Sequence, residues 1–154
     1  MAASLALWAG GTFAHHLVTK RVVRALPPEW RDHPEAGPDY AAVLGWGPRD
    51  YVAPVLRFAP WLAGIAAYVI FLSLLGVSRG VQVGACALGS LLWAQGIRAS
   101  DRARARAFAE REGLAYPKRP LARRLAYEGT LYLACLGSVL TGCFAGLVVW
   151  SLVG

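Results

Sequence analysis

The sequence predicts an all-α protein, an integral membrane bundle of four transmembrane helices. Four long apolar stretches, at residues 2–18, 52–77, 81–97 and 125–153, are separated by connections rich in charge. A helix needs about 20 apolar residues to cross a hydrocarbon core about 30 Å thick. Charged residues make up only 16% of the chain, below the share of about 25% in soluble domains. We therefore expect a single transmembrane domain over residues 1–154.

The distribution of basic residues predicts the orientation of the bundle. The inner-face loop 98–124 carries nine basic and three acidic residues, a net charge of +6, and Lys20, Arg21 and Arg24 follow the first stretch. Within this loop, Arg98–Glu112 is expected to continue the third span as a helix until Gly113. Lys and Arg concentrate in loops on the cytoplasmic side, or on the matrix side of a mitochondrion. We expect both long connections there and both termini on the non-cytoplasmic or intermembrane-space side. Topology accounts for the net charge of +7, so no nucleic acid is expected as a partner.

The first stretch and the first connection carry further local signals. No Lys or Arg precedes Lys20, so residues 2–18 predict a retained span rather than a secretory signal, which begins with a basic region. Prolines break the connection 20–51, and a short interfacial helix is expected near 41–45. Aromatic residues of this connection are expected at headgroup depth, with a substrate-binding loop as the alternative: Trp30, Tyr40, Trp46 and Tyr51.

Small residues predict where the helices touch. In lipid, close backbone approach holds helices together, and small side chains permit it. On the third and fourth spans the expected packing residues are Gly84, Gly89, Ser138, Gly142 and Gly146. A similar ridge is expected on the first span, formed by Ala2, Ala6, Gly10 and Ala14. Gln82 and Gln95 are expected to bond across helices, and the partner of each ridge lies in this chain or in another.

Two histidines are the candidate cofactor ligands. His15 and His16 are adjacent, so on a helix they point about 100° apart and cannot both face one metal. No metal site is expected, and the chain alone supplies no second axial ligand for a haem. A haem shared with another subunit is one reading of this pair; a hydrogen bond to a neighbouring helix is the other. Three cysteines lie inside apolar stretches without a paired Cys-x-x-Cys spacing.

The basic residues at the inner face predict contacts with anionic lipid such as cardiolipin. The expected lipid-binding residues are Arg57, Arg98, Arg102, Lys118, Arg119, Arg123 and Arg124. Arg57 could instead pair with an anionic ligand or with Glu128. Glu128 itself is expected to pair with Arg124 at i, i+4, and the alternative is a role in proton relay. The sequence has no phosphate-binding loop, His-Glu-x-x-His motif or nucleophile elbow, so no catalytic residue is expected.

The segment KRPLARRLAYEG resembles one known pattern. Residues 81–153 resemble the hypoxia-induced-gene domain of respiratory supercomplex factors, in which two helices flank a basic matrix loop. In the second helix of that family, a polar residue, a basic residue, Arg, Gln and Gly recur at fixed spacing. The matching positions are Lys118, Ala122, Arg124, Glu128 and Gly129, with Ala and Glu replacing the basic residue and Gln. The resemblance implies an accessory or assembly factor bound to cytochrome oxidase.

A second family shares only the general layout. Membrane-associated eicosanoid and glutathione metabolism proteins are also short, basic and four-spanning, but Arg57 is not followed by their Asn and Glu. We therefore expect a non-catalytic accessory or assembly subunit of a respiratory or related complex, in the inner mitochondrial or bacterial plasma membrane. The alternatives are a small interfacial enzyme acting on a lipid-like or conjugated substrate and, third, a small transporter.

Overall fold

The computed structural model describes residues 1–47, 49–50, 59–118 and 120–153, and the secondary structure of these residues is helical, with no strand. The helices are α1 (Ala2–Arg24), α2 (Pro28–Arg31), α3 (Gly37–Gly45), α4 (Ala59–Leu74), α5 (Arg79–Glu112) and α6 (Leu121–Val153). The all-α prediction is confirmed for this part of the chain.

Two helices in the described ranges, α5 and α6, are long and apolar enough to cross a membrane, whereas the sequence predicted four. In α1 the apolar run is interrupted by His15, His16 and Lys20. The described part of α4 has 16 residues, about 24 Å of helix, which is shorter than a hydrocarbon core of about 30 Å. In the most apolar windows of α5 and α6, 22% and 39% of the window is buried, so most residues of these windows are at least partly exposed.

Helix α5 extends well beyond its apolar part, as the sequence predicted. It continues through the basic segment to Glu112 and ends at Gly113, whose φ of 66° is left-handed. A glycine adopts this conformation without the steric cost of a Cβ, so it ends a helix and redirects the chain. The predicted short helix near 41–45 is the second half of α3.

Helix α6 lies at the centre of the bundle, in contact with α1, α4 and α5. Gly142 and Gly146 allow α4 to approach, since a Cβ at Gly142 would lie 3.0 Å from Ile65 and one at Gly146 would lie 2.6 Å from the carbonyl oxygen of Ala66. The order of these contacts makes α4 parallel to α6. A buried cluster joins these helices to α5: Val69, Cys86, Val139 and Cys143.

The remaining two long helices run antiparallel to α6. On α1, Trp8 lies against Gly137, and a Cβ at Gly11 would lie 2.8 Å from the backbone nitrogen of Ala134. The ridge predicted on the first span is not the face that packs within this chain, because Gly10 faces open space and the contact with α6 lies one residue further round the helix. On α5, Ala94 packs with Leu131 and Cys135 of α6 in a second buried cluster. Hence α1 and α5 run in one direction, and α4 and α6 run antiparallel to them.

The two charged segments meet at one end of the bundle, which we call the charged end. Leu26 and Trp30 pack against Ala109 of α5 in a third buried cluster. Glu35 of the first connection accepts a hydrogen bond from Arg111 of α5. The two long connections therefore lie together at this end of the bundle.

Candidate functional site

A cavity of about 980 Å³ opens at the charged end. Its walls come from the connection 30–40, the polar half of α5, the segment 116–118 and the first turns of α6. The basic lining residues are Arg98, Arg102, Arg104, Arg106, Lys118 and Arg124, and the acidic ones are Glu35, Asp39, Asp101 and Glu128. Aromatic side chains complete the lining: Trp30, Tyr40, Phe108, Tyr116 and Tyr127.

Trp30 holds the wall of the cavity together. Pro28 supplies the first residue of the short helix α2, where its missing N–H would have no helical partner anyway. This helix turns Trp30 inward, so that the side chain is only 3% exposed. Its indole nitrogen donates a hydrogen bond of 3.0 Å to the carbonyl oxygen of Ala115, and its ring lies 5.4 Å from that of Phe108. Trp30 thus joins three chain segments, and its predicted depth at the headgroups stays a prediction.

Three arginines converge on a single carboxylate oxygen in the cavity. Glu128 Oε1 lies 3.1 Å from Arg98 Nε, 2.5 Å from Arg102 Nη2 and 3.0 Å from Arg124 Nε. The Glu128 side chain is only 13% exposed. The predicted pair with Arg124 is confirmed, and the two arginines of α5 are additional. We call these four residues the Glu128 cluster; it links α5 to α6 and holds a surplus of two positive charges.

Some of the other charged residues around the cavity form ion pairs, and others do not. Arg104 Nη2 donates to Asp101 Oδ1 at 2.8 Å. Outside the lining, Arg111 bonds both Glu35 and Glu112, and its hydrogen bond to Glu35 lowers the pKa of that carboxyl group. Among the described residues, no ion pair involves Arg106 or Lys118. The Arg106 guanidinium lies 5.9 Å from the centre of the Tyr116 ring.

The predicted lipid-binding residues do not form one surface. Arg98, Arg102 and Arg124 belong to the Glu128 cluster, while Lys118 lines the cavity without an acidic partner in the described part of the chain. Arg123 is exposed and outside the cavity lining. Arg57 and Arg119 lie outside the described residues, as does Tyr51. Arg106 lines the cavity but was not among the predicted lipid-binding residues.

The two histidines face different neighbours. His15 Nδ1 lies 3.2 Å from Thr130 Oγ1, a hydrogen-bond distance, and its ring lies 4.7 Å from that of Tyr127. The His16 ring stacks on Trp46 at 4.0 Å. The two rings therefore diverge, as expected for adjacent helical residues. Within the described residues, no group of three or more metal-ligating side chains comes together.

The predicted packing residues divide into two groups. Gly142 and Gly146 contact α4, and the buried hydroxyl of Ser138 donates to the Cys135 carbonyl oxygen at 2.8 Å. Gly84 and Gly89 have no atom within 4 Å of a Cβ built on them. The small-residue surface of α6 is thus filled from within the chain, whereas that of α5 is open.

The two predicted glutamines also differ. Gln82 is 1% exposed, and its amide nitrogen donates to the carbonyl oxygen of Val77 at 2.7 Å and to Ser73 Oγ at 3.1 Å. It therefore bonds α5 to the end of α4, as expected. Gln95 is exposed and has no hydrogen-bond partner among the residues that the structure describes.

No protein-family model, curated protein sequence or solved structure matches this chain.

Proposed function

We propose that this chain is a four-span, non-catalytic accessory or assembly subunit of a larger membrane complex. The alternating directions of α1, α4, α5 and α6 are those required of four successive membrane crossings. In this arrangement the charged end faces the cytoplasm or the mitochondrial matrix, because basic loops remain on that side. Both termini then lie on the opposite side.

The observation that carries this proposal is the position of Gln95. It lies on one face of α5 with Gly84, Leu88 and Leu91, at a spacing of four, three and four residues, and all four are exposed. Large apolar residues on this face suit lipid, but a primary amide in hydrocarbon favours a hydrogen-bonding partner. The open glycine beside them allows another helix to approach closely. We infer that a transmembrane helix of a different subunit covers this face.

The proposed parent complex is respiratory, and cytochrome oxidase is the first candidate. The support is the resemblance carried by Arg124, Glu128 and Gly129. The corresponding location is the inner mitochondrial membrane or a bacterial plasma membrane. Cardiolipin is the lipid expected at the charged end. A haem shared with another subunit would be ligated by a ring nitrogen of His15 or of His16.

Native extraction tests the subunit proposal. Membranes that contain the chain at its natural level are solubilised in a mild detergent, and the particle is sized on a native gel and identified by mass spectrometry. We expect a particle far larger than one copy of the chain, with other membrane proteins in fixed ratio. Migration as a monomer or a small homo-oligomer would contradict the proposal. An absorption spectrum of the particle, compared between wild type, His15→Ala and His16→Ala, tests for a haem held by this chain.

Substitutions on α5 test the inferred docking face. Gly84→Leu fills the open position, and Gln95→Leu removes the amide, so both are expected to release the chain from the large particle. Ala85→Leu is the matched control, since it adds a similar side chain to an exposed position about 100° round the same helix. Equal particle size for Gly84→Leu and Ala85→Leu would place the contact elsewhere.

One observation favours a second function, a small interfacial enzyme that acts on a lipid-like or conjugated substrate. The cavity of about 980 Å³ is at the upper end of the range for small-molecule sites, roughly 300–1,000 Å³. Arg57→Ala separates the two functions. A structural subunit should still assemble with its partners, whereas an interfacial enzyme that depends on this arginine should lose turnover.

A further inference from the structure

We propose that the cavity at the charged end is a binding site for a phosphate ester, supplied by the headgroup of an anionic phospholipid or by a soluble phosphate ester. The inference rests on the proposed membrane orientation only for the choice of lipid as the source. The anion site itself follows from the charges and the geometry of the cavity. It assigns the anion contact expected of the basic residues at the inner face to one defined cavity.

Six basic and four acidic residues line the cavity, a net charge of +2 that favours an anion. In the Glu128 cluster one carboxylate faces three guanidinium groups, and all three approach the same oxygen atom. Each guanidinium carries five N–H donors, so one shared acceptor leaves most of them available for an anion. Arg106 and Lys118 add two further cations without an acidic partner among the described residues. Phosphate oxygens accept several charge-assisted hydrogen bonds at once and match this donor set.

The position of the cavity along α5 corresponds to the headgroup layer in the proposed orientation. The apolar part of α5 ends at Ile97, and the lining residues of this helix run from Arg98 to Phe108. At 1.5 Å per residue they extend about 15 Å beyond the apolar segment. A headgroup layer is about 5–8 Å thick on each side of the hydrocarbon core. The Glu128 cluster is at the end of this helical segment that adjoins the apolar part of α5. In the proposed orientation it lies at the depth of the lipid phosphates.

The aromatic lining supplies the second half of such a site. Phe108, Tyr116 and Tyr127 line the cavity together with the cationic side chains. The Arg106 guanidinium lies 5.9 Å from the centre of the Tyr116 ring. A bare phosphate ion would use only the cations. A glycerol backbone and its ester groups would also cover aromatic surface, which is why a phosphate ester fits the cavity better than inorganic phosphate.

Lipid binding by the purified full-length chain tests the proposal. The chain in detergent is titrated with cardiolipin, with phosphatidylcholine and with soluble glycerol phosphate, and bound ligand is counted by native mass spectrometry. The test variant is Arg106→Gln combined with Lys118→Gln, whose side chains are both exposed and outside the buried clusters. The matched control is Arg21→Gln combined with Arg24→Gln, two exposed arginines at the end of α1 that do not line the cavity.

We expect the cavity variant to bind cardiolipin at least about tenfold more weakly than wild type. This is the change in affinity expected when one charge-assisted hydrogen bond to the ligand is lost. The control should change binding less than about twofold. Competition by glycerol phosphate would identify a soluble ester as the source, and its absence would identify the lipid. Equal losses in both variants, or equal binding of phosphatidylcholine and cardiolipin, would overturn the proposal. The size of the native particle reports on the subunit function separately, because the cavity variants leave the α5 docking face intact.

Discussion

Replacing Glu128 by Gln is the most direct test of the charged end. The change keeps the shape of the side chain and removes the negative charge that three arginines share. Arg98 and Arg102 then approach Arg124 across the α5–α6 contact with no carboxylate between them. We therefore expect Glu128→Gln to weaken the contact between these helices without altering the buried apolar clusters.

The structure sets the size of the effect. The Glu128 side chain is 13% exposed, and the three arginines are 26%, 35% and 50% exposed. These ion pairs are therefore partly screened by solvent, and each contributes about 0.2–1 kcal/mol. Together they give a loss of about 2 kcal/mol in the free energy of unfolding. For a chain of this length, 1 kcal/mol lowers Tm by about 2–4 °C, so the expected fall is about 4–8 °C.

Thermal unfolding followed by tryptophan fluorescence measures this effect in detergent. Glu110→Gln is the matched control, because Glu110 is exposed on α5 and belongs to no described ion pair. Its Tm should remain within about 1 °C of wild type, since an exposed substitution of this kind changes stability by less than about 0.5 kcal/mol. If Glu128→Gln and Glu110→Gln unfold at the same temperature, the three arginine contacts do not stabilise the fold.

Three other perturbations give distinct expected results. Gly11→Ala should destabilise the fold by about 1–3 kcal/mol in thermal unfolding, because the added Cβ would lie 2.8 Å from the backbone of α6. Gly10→Ala is the control, since a Cβ there has no atom within 4 Å. It should be neutral or should stabilise the fold by up to about 1 kcal/mol. Trp30→Phe keeps a ring in the third cluster but loses the indole hydrogen bond, and its Tm should reflect a loss of about 1 kcal/mol. The lowered pKa of Glu35 means that its contact with Arg111 contributes stability above the ordinary pKa of 4.5 and loses it as pH falls through the folded-state value. The protection factors of the backbone amides in α2 and α3, which correct for the intrinsic exchange rate at each pH, should therefore fall only in acid. In Arg111→Gln they should already be lower at pH 7.

The sequence predicted those elements whose cause is local. The length of α5 follows from helix-forming residues that continue to Glu112 and from the glycine after it. The Arg124–Glu128 pair follows from i, i+4 spacing on one helix. Arg98 and Arg102 share the same spacing on α5, so a common partner was detectable in principle. Their convergence on Glu128 depends on the register between α5 and α6, which no single-helix pattern contains.

The packing of α1 shows why small-residue spacing alone was insufficient. The regular ridge through Gly10 suggested one contact face, but Trp8 and Gly11 form the actual face because Gly137 leaves room for the α1 backbone. The location of this gap on α6 is a property of the partner helix. The burial of Trp30 was not predicted, for a similar reason. Its partners, Phe108 and Ala115, are remote in sequence and become adjacent only when α5 ends at Gly113.

The central position of α6 limits where another subunit can bind. Its small residues already receive α1 at Gly137 and α4 at Gly142 and Gly146, so an incoming helix cannot use them without displacing part of this fold. Helix α5 has open glycines at Gly84 and Gly89, and it also carries the cationic wall of the cavity. A partner docked along Gln95 would contact α5 outside the cavity, because Gln95 is not among the lining residues. The docking face and the phosphate site can therefore be changed one at a time, by Gln95→Leu in the first and by Arg106→Gln with Lys118→Gln in the second.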